Sequence, residues 1–366
     1  MKLDTPRDLF LSHLQAAASV CPTRSTRPIL TDVLVSVDGH RVEITATDGE
    51  ITVRRSYEHD EVSGEGQAAL PAGTLLSAVR SMSSDTLSLK QQAGAHELTG
   101  GSAYFKLHGD DPELFPAVPE VNAERGLELP LGAFVGLCQR TMFAAAREMG
   151  RYAFNGVLLE VDPKELTMVA TDGRRLSKAG LAIDTGVDER FSVVVPLKGL
   201  QQLQRLGAPE DTVLRLEFRQ TLVAFAVPGT EVRAQLVEGE FPDFRAVMPN
   251  ESDVPSTVTV DRQELAGAIQ RATITAGDEG PAVALSLSPG SLRVASRQEG
   301  LGESRSDLAV DYQGAEVEIR FNPLFLGEYL KTMPETQVTF RFKDRASAGL
   351  FSSQESSVYV VMPITS

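Results

Sequence analysis

Two short runs carry the first hint of chemistry, Ala46-Thr47-Asp48-Gly49 and Ala170-Thr171-Asp172-Gly173, whose aspartates stand 124 positions apart. Asp-Gly between β-prone residues reads as a hairpin turn in which glycine takes a positive φ that other residues resist. The copies then diverge: the second continues Arg174-Arg175-Leu176, a charge pair beside an apolar side chain, and the first continues Glu50-Ile51-Thr52. The five histidines, His13, His40, His59, His96 and His108, have no ligand spacing to one another or to Cys21 and Cys138, so no metal is expected. Asp110-Asp111-Pro112-Glu113 could hold a cation or act as an acid/base pair, but its proline suits a solvated loop. No glycine-rich phosphate loop, His-Glu-x-x-His or Gly-x-Ser-x-Gly motif occurs, and neither catalytic residues nor a cofactor are expected. An enzyme built on Asp110, Asp111 and Asp172 stands as the alternative.

A spacing of 124 suits duplicated domains rather than a solenoid, and 366 residues are too many for one ordinary core. With 42% hydrophobic and 23% charged residues the chain has the balance of a folded soluble protein. The opening residues hold no apolar signal segment and no stretch is long and apolar enough to span a bilayer, so a cytoplasmic location is expected. Cys21 and Cys138, in or at the end of apolar helical stretches, are expected as buried thiols in a reducing compartment. A net charge of −15 argues at first against nucleic acid.

The pattern of elements recurs. A helical stripe at Phe10, Leu14, Ala17 and Cys21 precedes strands around 29–37, 41–47 and 50–57; Leu70-Pro71-Ala72-Gly73 then leads into a helix, and strands around 86–90 and 103–107 end at Phe115-Pro116. The stripe Leu131, Phe134, Val135, Cys138 and Met142 opens a second cycle, Val195-Pro196-Leu197-Lys198-Gly199 introduces its second helix, and Phe241-Pro242 echoes Phe115-Pro116. A third begins with Leu265, Ala268, Ile269 and Ala272, followed by Arg320-Phe321-Asn322-Pro323 and a helix to Met333. Proline-bounded stretches separate the cycles. The expectation is an α+β chain of three tandem domains at 1–120, 127–250 and 256–366.

These repeats, with Arg151-Tyr152-Ala153-Phe154-Asn155-Gly156, Val169 to Leu176, Glu238 to Arg245, Phe321-Asn322 and Tyr359-Val360-Val361-Met362-Pro363, resemble the bacterial DNA sliding clamps, the beta subunits of the replicative DNA polymerase III holoenzyme, over essentially the whole chain. The resemblance implies three clamp domains per chain, helices lining a central hole with antiparallel sheets outside, and a head-to-tail homodimeric ring around duplex DNA that confers processivity. It also implies a cleft for a short peptide motif of partners: the polymerase alpha subunit, clamp-loader subunits, translesion polymerases, mismatch-repair proteins and ligase. By motif, Phe154, Thr171, Gly173, Arg174, Arg175, Leu176, Pro242, Val247, Val360 and Met362 would form its deeper subsite. Arg151, Asn322, Phe325, Pro363 and Ile364 would surround a neighbouring one. Leu176, Val247, Val360 and Met362 suit an adaptable apolar pocket.

The charge objection then weakens, because the helices read from the sequence carry a slight positive charge. Arg140 with Arg147, and Lys198 with Arg205, lie seven apart opposite apolar stripes. A ring held by linkage needs only weak, sequence-blind phosphate contacts. Arg24, Tyr152 and Arg245 complete the DNA-contact candidates. Family interface positions are Phe105, Lys106, Ile274, Thr275, Glu299 and Glu303. Arg174 stands where histidine is common, and Thr275 is more polar than the usual residue, which implies a weaker apolar dimer contact. A monomeric adaptor of the same fold is the remaining alternative.

Overall fold

Each α-helix among the described residues starts directly after a strand or, for the last, one residue beyond it, and the reason is local. Four of these six helices are preceded by a proline (Pro6, Pro71, Pro130, Pro196), which cannot donate to a further ladder bond. Asp261 and Asn322 precede the other two and cap them, Asp261 Oδ1 accepting from the amides of Gln263 and Glu264 at 2.9 and 3.0 Å, and Asn322 Oδ1 from Leu324 at 2.9 Å. The computed structural model describes residues 1–92, 94–118, 123–146, 154–278, 280–354 and 356–365.

The order of elements is the same three times. The first repeat is β1 (Lys2–Pro6), α1 (Arg7–Ala18), β2 (Asp32–Asp38), β3 (Arg41–Thr47), β4 (Ile51–Glu58), β5 (Ser63–Pro71), α2 (Ala72–Ser81), β6 (Thr86–Gln92), β7 (Ala95–Gly100) and β8 (Ala103–Leu107). The second is β9 (Arg125–Pro130), α3 (Leu131–Thr141), β10 (Gly156–Asp162), β11 (Glu165–Thr171), β12 (Arg175–Ala182), β13 (Phe191–Pro196), α4 (Leu197–Leu203), β14 (Val213–Arg219), β15 (Leu222–Val227) and β16 (Thr230–Gln235). The third is β17 (Ser256–Asp261), α5 (Arg262–Thr273), β18 (Val283–Ser288), β19 (Ser291–Gln298), β20 (Gly302–Ala309), β21 (Val317–Phe321), α6 (Pro323–Thr332), β22 (Gln337–Phe342), β23 (Gly349–Gln354) and β24 (Ser357–Val361). The opening strands β1, β9 and β17 are absent from the sequence reading, which has proline-bounded stretches between the cycles and goes straight to the helices.

Each repeat contributes two four-stranded antiparallel halves, its fifth, second, third and fourth strands and its eighth, seventh, sixth and first. One compact unit, Met1–Gly132 with Lys198–Leu236, holds a twelve-stranded sheet in the order β8-β7-β6-β1-β5-β2-β3-β4-β16-β15-β14-β9. The other, Ala133–Leu197 with Val237–Ser366, holds an eight-stranded sheet, β13-β10-β11-β12-β24-β23-β22-β17, and a four-stranded one, β20-β19-β18-β21. The joins between repeats obey one rule: the fourth strand of a repeat pairs with the eighth strand of the next, β4 with β16 (Val53 opposite Val232) and β12 with β24 (Leu176 opposite Val360).

The helices lay one apolar stripe on their sheets: Phe10, Leu14 and Ala17 of α1, Leu75, Ala78 and Val79 of α2, Leu265, Ala268, Ile269 and Ala272 of α5, and Leu326, Tyr329 and Leu330 of α6 are buried. The first residue of α1 and of α5 is an arginine that closes the far end of its partner helix. Arg7 donates to the carbonyls of Val79 and Arg80 at 3.2 and 3.0 Å, and Arg262 to those of Leu330 and Glu335 at 3.1 and 2.8 Å. Leu131 holds this place in the second repeat, where α4 has seven residues against ten in α2 and α6. Of the two thiols expected to be buried only Cys138 is; Cys21 is partly exposed beside its bond to the Asp32 carbonyl.

His96 on β7 is 5% exposed, and neither ring nitrogen has a hydrogen-bond partner among the described residues. Burial, helped by the nearby N-terminal amine, lowers its pKa below the ordinary value. A lowered histidine pKa means that the unfolded chain takes up a proton, below pH about 6.5, that the folded chain refuses, so its effect appears as destabilisation on the acid side. Asp32 works the other way, since burial and then Asp110 push it up to about 6. Comparison with a variant isolates the histidine. His96→Leu is expected to gain on the parent as pH falls from 7 to 5, by up to about 1.4 kcal/mol per pH unit. Urea unfolding at several pH values measures it; parallel curves for the two proteins would refute it.

Candidate partner-binding site and the basic residues

The two Thr-Asp-Gly runs fold alike. Thr171 Oγ1 donates to the Arg175 carbonyl at 2.6 Å and accepts from the Gly173 amide at 3.1 Å, while Asp172 Oδ1 accepts from the amides of Arg174 and Arg175 at 2.9 and 3.1 Å. In the first copy Thr47 bonds the Ile51 carbonyl at 2.9 Å and the Gly49 amide at 3.1 Å, and Asp48 Oδ1 takes the amides of Glu50 and Ile51 at 3.0 and 2.7 Å. Gly173 and Gly49 have φ of 85° and 99°, the left-handed region that this turn needs. Both Asp172 oxygens are thus engaged, Oδ2 with Arg175. Asp111 is also occupied, accepting from the Glu113 amide at 3.0 Å to cap a 3-10 turn.

Beyond the second turn the chain departs from its expected form. Arg174 is exposed, but Arg175 points inward, its side chain 5% exposed, with Nε 3.0 Å from Asp172 Oδ2 and Nη1 2.5 Å from Glu328 Oε2 on α6. Its guanidinium lies 4.3 Å from the centre of the Phe325 ring and 5.8 Å from that of Phe143. Burial alone would lower its pKa; Tyr359 and Glu328 outweigh that and hold it above the ordinary value. The Tyr359 hydroxyl donates to the Phe325 carbonyl at 3.0 Å, and its ring stacks 4.7 Å from Tyr329. Arg175 therefore ties the hairpin to α6 beneath an aromatic layer.

Leu176 and Val360, expected to line an apolar pocket, are 3% and 4% exposed and face each other in the β12–β24 ladder. They belong to one core cluster with Leu158, Val169, Val194, Phe244, Val254 and Leu350, against which Val237, Phe241 and Met248 also pack. This cluster brings together the hairpin, the last strand and the 241–248 segment. Around it stand apolar side chains left in solvent: Val247 at 61%, Leu324 at 55%, Met362 at 51% and Ile364 at 37% exposure. The ring of Phe154 lies beside Gly173, 3.9 Å from where a Cβ would stand. Pro242, Asn322, Phe325 and Pro363 are half-buried. The tail after β24 joins both sheets of this unit, the Met362 amide donating to the Arg174 carbonyl at 2.9 Å and the Ile364 amide to that of Arg320 at 2.7 Å. Leu324, Glu328 and Phe143 escaped sequence reading, and Tyr359 enters there only within a motif, with no role of its own; for Leu324 the signal was its place off the buried stripe of α6.

The basic residues are more often paired than expected. Arg140, read as projecting away from the apolar stripe, is half-buried with Nη2 3.0 Å from Glu335 Oε1. α3 ends at Thr141 and α4 at Leu203, so Arg205 lies beyond its helix, exposed. Arg245 donates to Glu160 Oε2 at 2.6 Å and lies 4.3 Å from the centre of the Phe244 ring. Burial of Glu160 would raise its pKa, but Arg245 and then Arg190 hold it below the ordinary value. Lys198 is paired with Asp48. Arg24 is exposed. Arg147, Arg151 and Tyr152 lie outside the described residues.

Comparison with known proteins matches the chain to three family models in succession, described as the N-terminal, central and C-terminal domains of the DNA polymerase III beta subunit, at residues 1–119, 128–243 and 245–365. The chain belongs to the DNA polymerase III beta subunit family. It is 30% identical to the beta sliding clamp of Pseudomonas putida and 28% to that of Chlamydia pneumoniae, covering all of this chain and 100% and 99% of the relatives. Among solved structures, the sliding clamp of Pseudomonas aeruginosa bound to griselimycin superposes with a TM-score of 0.94 at 30% identity, and that of Bartonella birtlesii bound to griselimycin with 0.94 at 27%, each over the whole of both chains. The family is one of sliding clamps, processivity factors and not catalysts, and its three domains are the three repeats. In this sliding-clamp chain three of the six interface candidates, Phe105, Lys106 and Glu303, lie on two edge strands. Phe105 and Lys106 lie on the edge strand β8, half-buried and exposed, and Glu303 on the edge strand β20, exposed like the nearby Glu299. Ile274 is 72% exposed, while Thr275 Oγ1 is 2.6 Å from Ser296 Oγ. No described helix is long and apolar enough to cross a membrane.

Proposed function

We propose that two copies of this chain close head to tail into a ring around duplex DNA, with domains at 1–120, 127–250 and 256–366. The ring holds the replicative polymerase on its template and tethers clamp-loader and repair proteins through the peptide site at the β12–β24 seam, in the cytoplasm. The pairing rule carries the reading. Fourth strands join eighth strands at β4–β16 and β12–β24, which leaves one fourth strand, β20, and one eighth strand, β8, as free edges. An unpaired edge is a template for another strand. Applied to two copies, the rule joins β20 of each to β8 of the other, a heterologous contact that closes after six repeats. Tyr104 at 56%, Ile274 at 72% and Leu301 at 54% exposure supply apolar surface near these edges.

Linkage rather than affinity would then hold the protein on DNA. Loaded by a clamp loader onto closed circular duplex, it is expected to stay through gel filtration in high salt and to run off when the circle is cut. Equal loss from circle and line would contradict the ring.

A further inference from the structure

We propose that Asp48 is a built-in counter-ion for Lys198 that weakens the chain's hold on DNA phosphates, a proposal that rests on the ring reading above. The second carboxylate oxygen of the repeated turn holds a cation in both copies. Oδ2 of Asp172 takes the buried Arg175, and Oδ2 of Asp48 takes the ammonium of Lys198, 150 positions away. The Asp48 carboxylate cannot turn aside, since Oδ1 is fixed by the amides of Glu50 and Ile51 and the side chain is only 8% exposed. Lys198 is the movable partner, 52% exposed at the start of α4.

The same unit gathers other basic residues near this helix. Ser19 Oγ donates to Gln202 Oε1 of α4 at 2.7 Å, which brings the residue after α1 against α4, five positions before the exposed Arg24. Arg24 and Arg205 form no ion pair with a described residue. A phosphate arriving at α4 meets the exposed Arg205 guanidinium just past the helix and one ammonium that must first leave Asp48. A pair whose ammonium is half exposed is weak enough to exchange and strong enough to matter. A linked ring gains from that balance, because each firm phosphate contact retards sliding while adding nothing to retention.

Asp48→Asn tests this, because asparagine keeps the Oδ1 acceptor of the turn and removes the charge. The parent, Asp48→Asn, Lys198→Gln and the double variant are each titrated onto a short linear duplex over a range of KCl concentrations, and each is loaded on circular DNA. Asp48→Asn is expected to bind the duplex roughly two- to fivefold more tightly at low salt, with log K against log[KCl] steeper by about 0.9. The double variant should match Lys198→Gln. A slope for Asp48→Asn equal to the parent's, or a gain that survives in the double variant, would overturn the proposal while retention of the parent on circles leaves the ring reading intact. A parent that is not retained on circles overturns both.

Discussion

Arg175→Ala is expected to destabilise the unit formed by 133–197 and 237–366 by about 3–5 kcal/mol, an effect typical of removing one partner from a buried ion pair. The Arg175 side chain is 5% exposed and spans Asp172 at 3.0 Å and Glu328 at 2.5 Å, with its Cζ 4.3 Å from the centre of the Phe325 ring. Alanine leaves two carboxylates without their cation, one of them the anchor of the turn through Oδ1, and opens a void beneath Phe325 and Phe143. Lysine is expected to recover only part of the loss, since a point charge cannot reach both carboxylates and stack as well. Arg175→Met with Glu328→Gln should be less damaging than Arg175→Met alone, because the Glu328 charge is removed together with the cation that offsets it. Urea unfolding of the four variants measures the series. An alanine variant within about 1 kcal/mol of the parent would show that Arg175 is not the tie that its contacts indicate.

Arg175 also shows where sequence reading stops. The Asp-Gly turn, the threefold order of elements and the apolar stripes are local patterns of period two or 3.6, and all were legible. A strand buried on both faces is not: Arg175, Leu176 and Ser177 are all buried, so alternation gives no sign of which side is wet. The sequence therefore offers Arg174 and Arg175 alike as a charge pair in the peptide site, and Leu176 and Val360 as its pocket lining. The acids that decide each basic residue's fate were equally hidden. Glu328 is 153 positions from Arg175, Glu335 is 195 from Arg140, and Asp48 is 150 from Lys198, separations that no spacing rule spans. The strands β1, β9 and β17 escaped for a plainer reason. They have five or six residues, end in Pro or Asp, and bury only two side chains each.

These placements change which residues test the partner site. Leu176 sits in the core cluster, and its truncation to alanine falls among substitutions that cost about 2–5 kcal/mol of folding stability, so a loss of binding would mix fold with contact. Val247 and Met362 are different. At 61% and 51% exposure they support little of the fold, and they flank the seam where the 241–248 segment and the last strand meet in one cluster. Full burial of such a side chain is worth about 1.5–3 kcal/mol. A peptide covering both in part should therefore lose on the order of a hundredfold in affinity when Val247→Ser and Met362→Ser are combined. Fluorescence polarisation with a labelled peptide carrying the polymerase's clamp-binding motif reads the affinity, and thermal unfolding should be unchanged within about 2 °C for so small a perturbation of the fold. If the double variant binds the peptide as the parent does, the exposed apolar side chains beside the seam are not the partner site. If it binds poorly but also melts early, Val247 and Met362 belong to the core after all, and the site must be sought with Leu324 and Phe325 on α6.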